Sequence, residues 1–183
     1  MTIQMTAVRN RTTGLSRFSI ALHWLMLLLL SAVYACIELR EFWPRGSDIR
    51  EGLKTWHFML GLSVFVLVWI RLAARWRTPL LSLSPGWTRW PAAVGHVALY
   101  ALMIAMPLLG WLTLSAEGDP IPFFGLALPP LVGPNEGLAE QVEELHTTLG
   151  VAGYWLIGLH AAAALFHHYV LGDPTLRRML GRR

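Results

Sequence analysis

Cysteine is nearly absent from this sequence, since Cys36 is the only one in 183 residues. A single thiol excludes an internal disulfide, covalent haem attachment through a C-x-x-C-H motif and a four-cysteine iron–sulfur cluster within one chain. Charge is also scarce: 14% of the residues are charged, whereas a soluble domain has roughly a quarter. The sequence is instead apolar, with 55% hydrophobic residues and a mean hydropathy of +0.48. This composition is typical of an integral membrane protein.

Four apolar stretches are long enough to cross a bilayer, for which about 20 apolar residues suffice. They cover residues 18–37, 55–74, 91–114 and 145–171. We therefore expect an all-α integral membrane four-helix bundle, with residues 1–183 in a single domain. Pro107 interrupts the third span, which membrane helices tolerate when neighbouring groups satisfy the freed carbonyl. A cleaved signal peptide is the competing interpretation of the first span, although the apolar run is long for one.

Basic and acidic residues occupy opposite ends of the predicted spans. The bases collect in both terminal tails and between spans two and three: Arg9, Arg11, Arg17, Arg75, Arg77, Arg89, Arg177, Arg178, Arg182 and Arg183. The connection between spans three and four has acids and no base: Glu117, Asp119, Glu136, Glu140, Glu143 and Glu144. The positive-inside rule then predicts that both termini are cytoplasmic. Because the arginines lie beside apolar spans, the net charge of +4 does not indicate a nucleic-acid partner.

Histidines are the ionisable residues within the spans that most suggest a function, because such groups are costly to keep inside a membrane. His146, His160 and His167 follow one another at spacings of 14 and 7 residues. These spacings are close to four and two helical turns, so the three side chains share one face of the fourth span. The pattern favours ligation of a metal or cofactor over simple packing.

Depth in the membrane separates the histidines into two levels. With both termini inside, His57 and His146 begin inward-running helices at the outer face. His160 lies 14 residues deeper, which is about 21 Å along a helix, and His23 begins an outward-running helix at a similar depth. Bis-histidine ligation of two stacked haems is the simplest prediction, with one pair of imidazoles at each level. A zinc site would need three or four converging ligands, and no acid lies inside a span to provide them.

Two further histidines have open roles. His96 lies at the inner level, where the likeness of the two halves of the chain would favour a His23–His96 pair. The face shared by His146 and His160 favours His160 instead, and His96 would then contact a propionate or be an interior histidine with satisfied hydrogen bonds. His167, at the inner interface, is a candidate contact for a haem propionate or a quinone headgroup, or an anchor at the lipid headgroups.

The connection between spans three and four contains an apolar, proline-rich stretch, residues 121–132, that cannot be regular helix throughout. It suits either a lid over a buried cofactor or a loop lying on the lipid headgroups. After it, Asn135 is expected to cap a short amphipathic helix. Small residues of the fourth span, including Gly150, Gly153 and Gly158, leave room for a flat macrocycle or serve helix–helix packing.

Several segments resemble the bacterial cytochrome b561 family. Residues 156–169, LIGLHAAAALFHHY, closely resemble its fourth-helix motif. Residues 19–24, SIALHW, resemble its first-helix ligand motif, and residues 38–45, ELREFWPR, resemble its first outer loop. Gly95-His96 is similar to its third helix. The resemblance covers nearly the whole chain, and the fourth-helix motif is the most specific part.

This resemblance implies a multi-pass protein of the bacterial inner membrane with two non-covalent b haems. The implied iron ligands are the residues that match the family's, namely His23, His57, His146 and His160. Members of the family exchange electrons with the quinone pool. They include a superoxide oxidase, which takes an electron from superoxide on the periplasmic side and passes it through both haems to ubiquinone.

The sequence departs from the family pattern around His146, where residues 143–148 read EELHTT and relatives carry basic or neutral residues. Superoxide is an anion that positive potential would steer, so Arg40, Arg45 and Lys54 on the first outer loop are candidates for a local cationic entrance. The leading hypothesis is superoxide:ubiquinone oxidoreduction. The alternatives are an electron-transfer subunit whose acidic loop docks a basic periplasmic redox partner, and a structural membrane protein with incidental histidines.

Overall fold

The computed structural model describes residues 16–75 and 89–181. Its helices are α1 (Arg17–Leu39), α2 (Asp48–Arg75), α3 (Arg89–Glu117), α4 (Glu136–Tyr169) and the short α5 (Thr175–Met179), with a 3-10 turn at Arg40–Phe42 and two strands, β1 (Ile121–Phe123) and β2 (Leu126–Leu128). The four long helices are long and apolar enough to cross a membrane. The predicted all-α membrane four-helix bundle is therefore confirmed.

The two ends of the bundle carry different connections. We call the end with residues 40–47 and 118–135 the loop end, and the end with α5 and the start of α1 the termini end. The assignment of the termini end to the cytoplasm stays a prediction from charge. Of the arginines behind it, Arg9, Arg11, Arg77, Arg182 and Arg183 lie outside the described residues.

Two helices begin earlier than their predicted spans. α2 begins at Asp48, well before residue 55. The helix expected after Asn135 does exist, and the Asn135 side chain accepts a hydrogen bond from the Leu138 backbone N–H at 3.0 Å. It is not a separate short helix, however, because residues 138–145 are mostly strong helix formers and α4 continues through them into the fourth span.

The apolar connection between α3 and α4 forms a small hairpin. β1 and β2 pair antiparallel with Phe123 opposite Leu126, so Phe124 and Gly125 make a two-residue turn. Both have positive φ, 48° and 85°, as a type I′ turn requires, and glycine adopts this conformation without steric cost. Ile121 is 3% exposed and packs against the loop-end halves of α2 and α3. The prediction that residues 121–132 are not regular helix is thus confirmed, while the strands themselves were not anticipated.

Helix packing leaves α1 and α4 joined mainly by side chains. The backbones of α1 and α2, of α3 and α4, and of α2 and α3 approach closely. Between α1 and α4, the Tyr34 hydroxyl donates to the Gly150 carbonyl at 2.9 Å, and the rings of Tyr34 and Tyr154 lie 4.3 Å apart. The Tyr154 hydroxyl then donates to Glu38 at 2.6 Å. These contacts hold the two helices together while leaving space between them.

Of the three glycines of α4 noted in the sequence, Gly153 is the one that this packing requires. A Cβ at Gly153 would overlap the Tyr34 hydroxyl and lie 3.1 Å from a Leu102 methyl. A Cβ at Gly150 would lie 3.6 Å from the Met106 methyl, whereas one at Gly158 would meet nothing within 4 Å. Gly153 therefore provides close helix approach, as small residues do in membrane bundles, whereas a Cβ at Gly150 would make an ordinary van der Waals contact.

Gly153→Ala is expected to destabilise the bundle. The new methyl group would displace Tyr34, which is held by its hydrogen bond to Gly150, and overpacking of this kind costs about 1–3 kcal/mol. For a chain of this size, that loss lowers the melting temperature by roughly 2–10 °C, measurable by thermal unfolding in detergent. Gly52→Ala is the matched control because a Cβ there meets nothing within 4 Å. Equal stability of the two variants would contradict the expectation.

Candidate functional site

Two histidines face each other near the loop end. His57 of α2 and His146 of α4 have ring centroids 6.2 Å apart and ring planes at 70°. Two imidazoles that coordinate one metal ion from opposite sides, with bonds of about 2 Å each, have centroids roughly 6 Å apart. The pair therefore has the separation that axial ligation of a single iron requires.

The His57 ring is already oriented for such a role. Its Nδ1 atom lies 3.0 Å from the Val33 carbonyl oxygen of α1. A carbonyl oxygen only accepts, so Nδ1 carries the proton and donates, and Nε2 is left with its lone pair. Metal-binding histidines usually donate their second ring N–H in this way, which fixes the tautomer and the ring orientation.

The His146 ring is tightly enclosed. A Cβ at Gly110 of α3 would lie 3.4 Å from Cε1 of His146, so the glycine admits the ring. The Met106 carbonyl is nearby, but the buried Nδ1 atom makes no hydrogen bond to any residue in the described part of the chain. Such an atom is costly in an apolar span.

A cavity of about 700 Å³ surrounds this pair and opens toward the loop end. Its volume falls within the range of about 300–1,000 Å³ typical of cofactor sites. The walls are mainly aliphatic, with Leu30, Leu62 and Leu102 among them. Gly61, one turn from His57, also lines it, and a Cβ there would meet nothing within 4 Å. The hairpin borders the cavity only through Ile121, so it forms part of the rim.

The mouth of the cavity has charges of both signs. Arg40, Arg45 and Lys54, the predicted cationic entrance, all line it. Arg40 lies 3.1 Å from the Glu41 carboxylate, and Lys54 lies 3.7 Å from that of Asp119. Arg45 makes no ion pair within the described residues. The structure thus places the three basic side chains at the cavity that contains the histidine pair. Two of them, Arg40 and Lys54, form ion pairs with carboxylates.

Arg50 is a mouth residue that the sequence analysis missed. Its guanidinium donates to the carbonyls of Arg40 at 2.9 Å and Trp43 at 3.1 Å, and to the Glu41 carboxylate at 2.9 Å. It therefore positions the connection between α1 and α2 over the cavity. A signal for it was present, because Arg50 precedes His57 by two helical turns and so lies on the same face of α2.

Three histidines gather near the termini end. The His160 ring of α4 lies 6.4 Å from that of His23 in α1, with the planes at 74°. It also lies 5.5 Å from the ring of His96 in α3, at 73°. The His23–His160 geometry is nearly that of the loop-end pair, whereas His96 is closer than two ligands of one iron would be. His23, His96 and His160 all remain partly buried.

The last candidate histidine lies at the end of α4. Nδ1 of His167 is 4.0 Å from the Asp173 carboxylate, beside the turn that leads into α5. Elsewhere at this end the Trp24 indole donates to the Met179 carbonyl at 2.9 Å, which docks α5 on α1. No cluster of three or more His, Cys, Asp or Glu side chains that could hold a metal ion occurs within residues 16–75 and 89–181.

Comparison with known proteins gives consistent matches along the chain. A sequence model of prokaryotic cytochrome b561 matches residues 14–182. "Cytochrome b561 homolog 1" of Escherichia coli (strain K12) is 37% identical over 171 residues, which cover 92% of this chain and 97% of the relative. "Probable superoxide oxidase CybB" of Yersinia pestis is 38% identical over 171 residues, covering 92% and 96%. "Cytochrome b562" of Cereibacter sphaeroides is 31% identical over 179 residues, covering 93% and 97%.

Proposed function

The chain belongs to the prokaryotic cytochrome b561 family, and from this premise we propose that it carries electrons from superoxide at the loop end to ubiquinone. The family binds b-type haem and transfers electrons in the bacterial inner membrane, and the four membrane helices of this chain agree with that location. The specific donor, the acceptor and the haem ligands are the proposed part. The single cysteine excludes attachment through a C-x-x-C-H motif, and we propose that both haems are held without covalent bonds.

The two histidine pairs are the proposed haem ligands, His57 with His146 and His23 with His160. The observation that carries this assignment is the near-identity of their geometry, with centroids 6.2 Å and 6.4 Å apart and planes at 70° and 74°. When bound, haem b supplies reversible one-electron transfer. The residues of the chain hold the rings in place, and the walls of the loop-end cavity surround them mainly with aliphatic side chains.

The proposed overall reaction converts two superoxide ions, one ubiquinone and two protons into two molecules of dioxygen and one ubiquinol. At the loop end, the arginine and lysine side chains of the cavity mouth would attract the anionic donor. Arg45 is the best placed of them, since Arg40 and Lys54 lie beside the carboxylates of Glu41 and Asp119. The similarity to a relative that is called a probable superoxide oxidase supports this choice of donor.

At the termini end, ubiquinone reduction requires protons from the aqueous side. We place the quinone headgroup near His167, whose Nδ1 atom faces the Asp173 carboxylate at 4.0 Å. An imidazole paired with a carboxylate at the membrane interface can hold a proton and release it to a reduced quinone. This position also lies on the face of α4 that carries His146 and His160.

The test is a superoxide-driven assay with purified protein that contains both haems. We expect one ubiquinol for every two superoxide ions consumed, followed by quinone absorbance. Arg45→Gln should lower the rate about tenfold at low ionic strength, since electrostatic steering changes association rates by 10-fold or more. Arg177→Gln, an exposed position at the opposite end, should leave the rate unchanged. Protein that keeps both haems yet forms no ubiquinol would refute the proposed donor and acceptor.

A second candidate function rests on the acidic first turns of α4. Glu136, Glu140, Glu143 and Glu144 are all exposed there, and such a surface would attract a basic redox protein. The same preparation distinguishes the two functions when reduced basic cytochrome replaces superoxide as the donor. Electron transfer that is fast at low salt and falls steeply as salt is added would favour docking. Slow transfer that is indifferent to salt would leave superoxide as the donor.

A further inference from the structure

Arg71 of α2 is a charged residue inside a membrane span. Its Nε atom donates to the Tyr100 hydroxyl at 3.2 Å. Its Nη1 atom is buried and makes no hydrogen bond within the described residues, and the same holds for Nε of Arg75 one turn further on. Ionisable residues at such positions are costly and usually functional. In the sequence, Arg71 already stands out as a charged residue close to the end of the second apolar stretch, residues 55–74.

The depth of Arg71 follows from helix geometry. α2 and α4 run in the same direction, from the loop end to the termini end. Arg71 follows His57 by 14 residues, just as His160 follows His146 by 14 residues. Because 14 residues are close to four turns, Arg71 lies on the same face of α2 as His57 and at the level of His160. At this level α2 therefore provides a guanidinium group where the other three long helices provide imidazoles.

Within the described residues, no carboxylate is paired with this guanidinium. Of the 11 acidic residues in the sequence, ten lie toward the loop end: Glu38, Glu41, Asp48, Glu51, Glu117, Asp119, Glu136, Glu140, Glu143 and Glu144. Asp173, at the termini end, lies 4.0 Å from His167. No carboxylate comes within 4.0 Å of Arg71 or Arg75 in the part of the chain that the structure describes. A buried charge without a partner costs several kcal/mol, and an anion from outside the chain would satisfy the buried Nη1 atom of Arg71.

Because Arg71 lies at the level of His160 and on the face of α2 that carries His57, we expect that anion beside the termini-end histidines. We propose that the Arg71 guanidinium binds a propionate carboxylate of the haem held by His23 and His160, with Arg75 as a second contact. The proposal rests on the haem assignment made above. The planar guanidinium presents paired N–H donors that match a carboxylate, and Tyr100 holds Nε so that the unpartnered Nη1 remains available.

Esterified haem provides the test. Apoprotein is reconstituted with haem b or with its dimethyl ester, in which both carboxylates are blocked, and haem retention at the termini-end site is measured by competition with apomyoglobin. For the native protein, the ester should be lost roughly 10- to 100-fold faster than haem b, as expected when a charged hydrogen bond is removed. Equal retention would mean that the Arg71 guanidinium does not bind a propionate, and would overturn the proposal.

Substitution of Arg71 completes a double-mutant cycle. Arg71→Gln should lose haem b about as fast as the native protein loses the ester, and should no longer distinguish the two. Redox titration should show a lower midpoint potential for the termini-end haem, since a nearby positive charge favours the reduced state. Arg71→Lys should recover part of the discrimination, and Arg177→Gln, an exposed arginine at the same end, should behave like the native protein.

The outcomes separate this proposal from the haem assignment. If Arg71→Gln still discriminates between haem b and the ester as strongly as the native protein, the Arg71 contact is wrong while the haem ligands can stand. If His160→Ala retains both haems with native spectra, the assignment of the termini-end site itself fails. The native-protein comparison needs no substitution, so it remains decisive even where Arg71→Gln does not fold.

Discussion

Replacing His57 or His146 with alanine is expected to halve the haem content, from two haems per chain to one. Each substitution removes one of the two imidazoles whose centroids lie 6.2 Å apart, and a b haem that is held without covalent bonds depends on its axial ligands for retention. The pyridine haemochrome assay on purified protein measures the ratio directly. Superoxide-driven ubiquinone reduction should fall to the background rate in both variants, because the loop-end site is the proposed place of electron entry.

The two substitutions should also be non-additive. If both rings bind the same iron, His57→Ala combined with His146→Ala removes no more haem than either change alone, as expected for residues that act as one unit. His168→Ala is the matched control, since this histidine belongs to the same helix but its Nδ1 lies 3.4 Å from the Asp173 carbonyl at the far end. A double variant that loses both haems, or single variants that keep both, would show that these rings do not share an iron.

The hydrogen bond that orients the His57 ring also bears on how α1 packs against α2. The Val33 carbonyl that accepts from Nδ1 belongs to the backbone, so no side-chain substitution removes it cleanly. The hydrogen bond between His57 and Val33 instead requires that α1 stay close to α2 along this stretch.

The membrane fold and the levels of the histidines could be predicted because they depend on fixed lengths. An apolar span must match the bilayer, and a helix rises about 1.5 Å per residue, so residue spacing converts directly into depth. The structure brings together the rings that this arithmetic assigned to one level, His57 with His146 and His23 with His160. The prediction did not join residues 136–144 to α4 because it placed the start of the span where the sequence becomes apolar. The helix itself begins earlier, in a polar segment.

Contacts between distant segments could not be predicted in the same way. The place of Arg50 over the cavity depends on the exact path of residues 40–47, and the overlap at Gly153 depends on where Tyr34 of another helix points. The partners of charged residues are set by tertiary approach, so the pairing of Lys54 with Asp119 was invisible in the sequence. Arg71 is different, because the sequence alone shows its place inside an apolar span and the scarcity of acids toward the termini end, where Asp173 stands alone among the 11 acidic residues.

At the termini end, we expect His23→Ala and His160→Ala each to lose one haem, and His96→Ala to retain both. His160 is common to two candidate pairs, so the comparison of His23 with His96 decides between them. The His23–His160 centroid distance of 6.4 Å is close to that of the loop-end pair, whereas the His96–His160 distance is 5.5 Å. Haem content and the low-temperature α-band spectra, in which the two haems can be resolved, are the measurements.

Each possible pairing gives a distinct pattern of losses, which makes the three variants sufficient. Ligation by His23 and His96, as the likeness of the two halves of the chain would favour, requires that His160→Ala keep both haems. Ligation by His96 and His160 requires that His23→Ala keep them. Under our assignment the His96 ring lies beside the haem without binding iron, so His96→Ala should shift the midpoint potential of that haem while leaving its bis-histidine spectrum intact. Loss of the termini-end haem from His96→Ala, with retention in either other variant, would contradict the assignment.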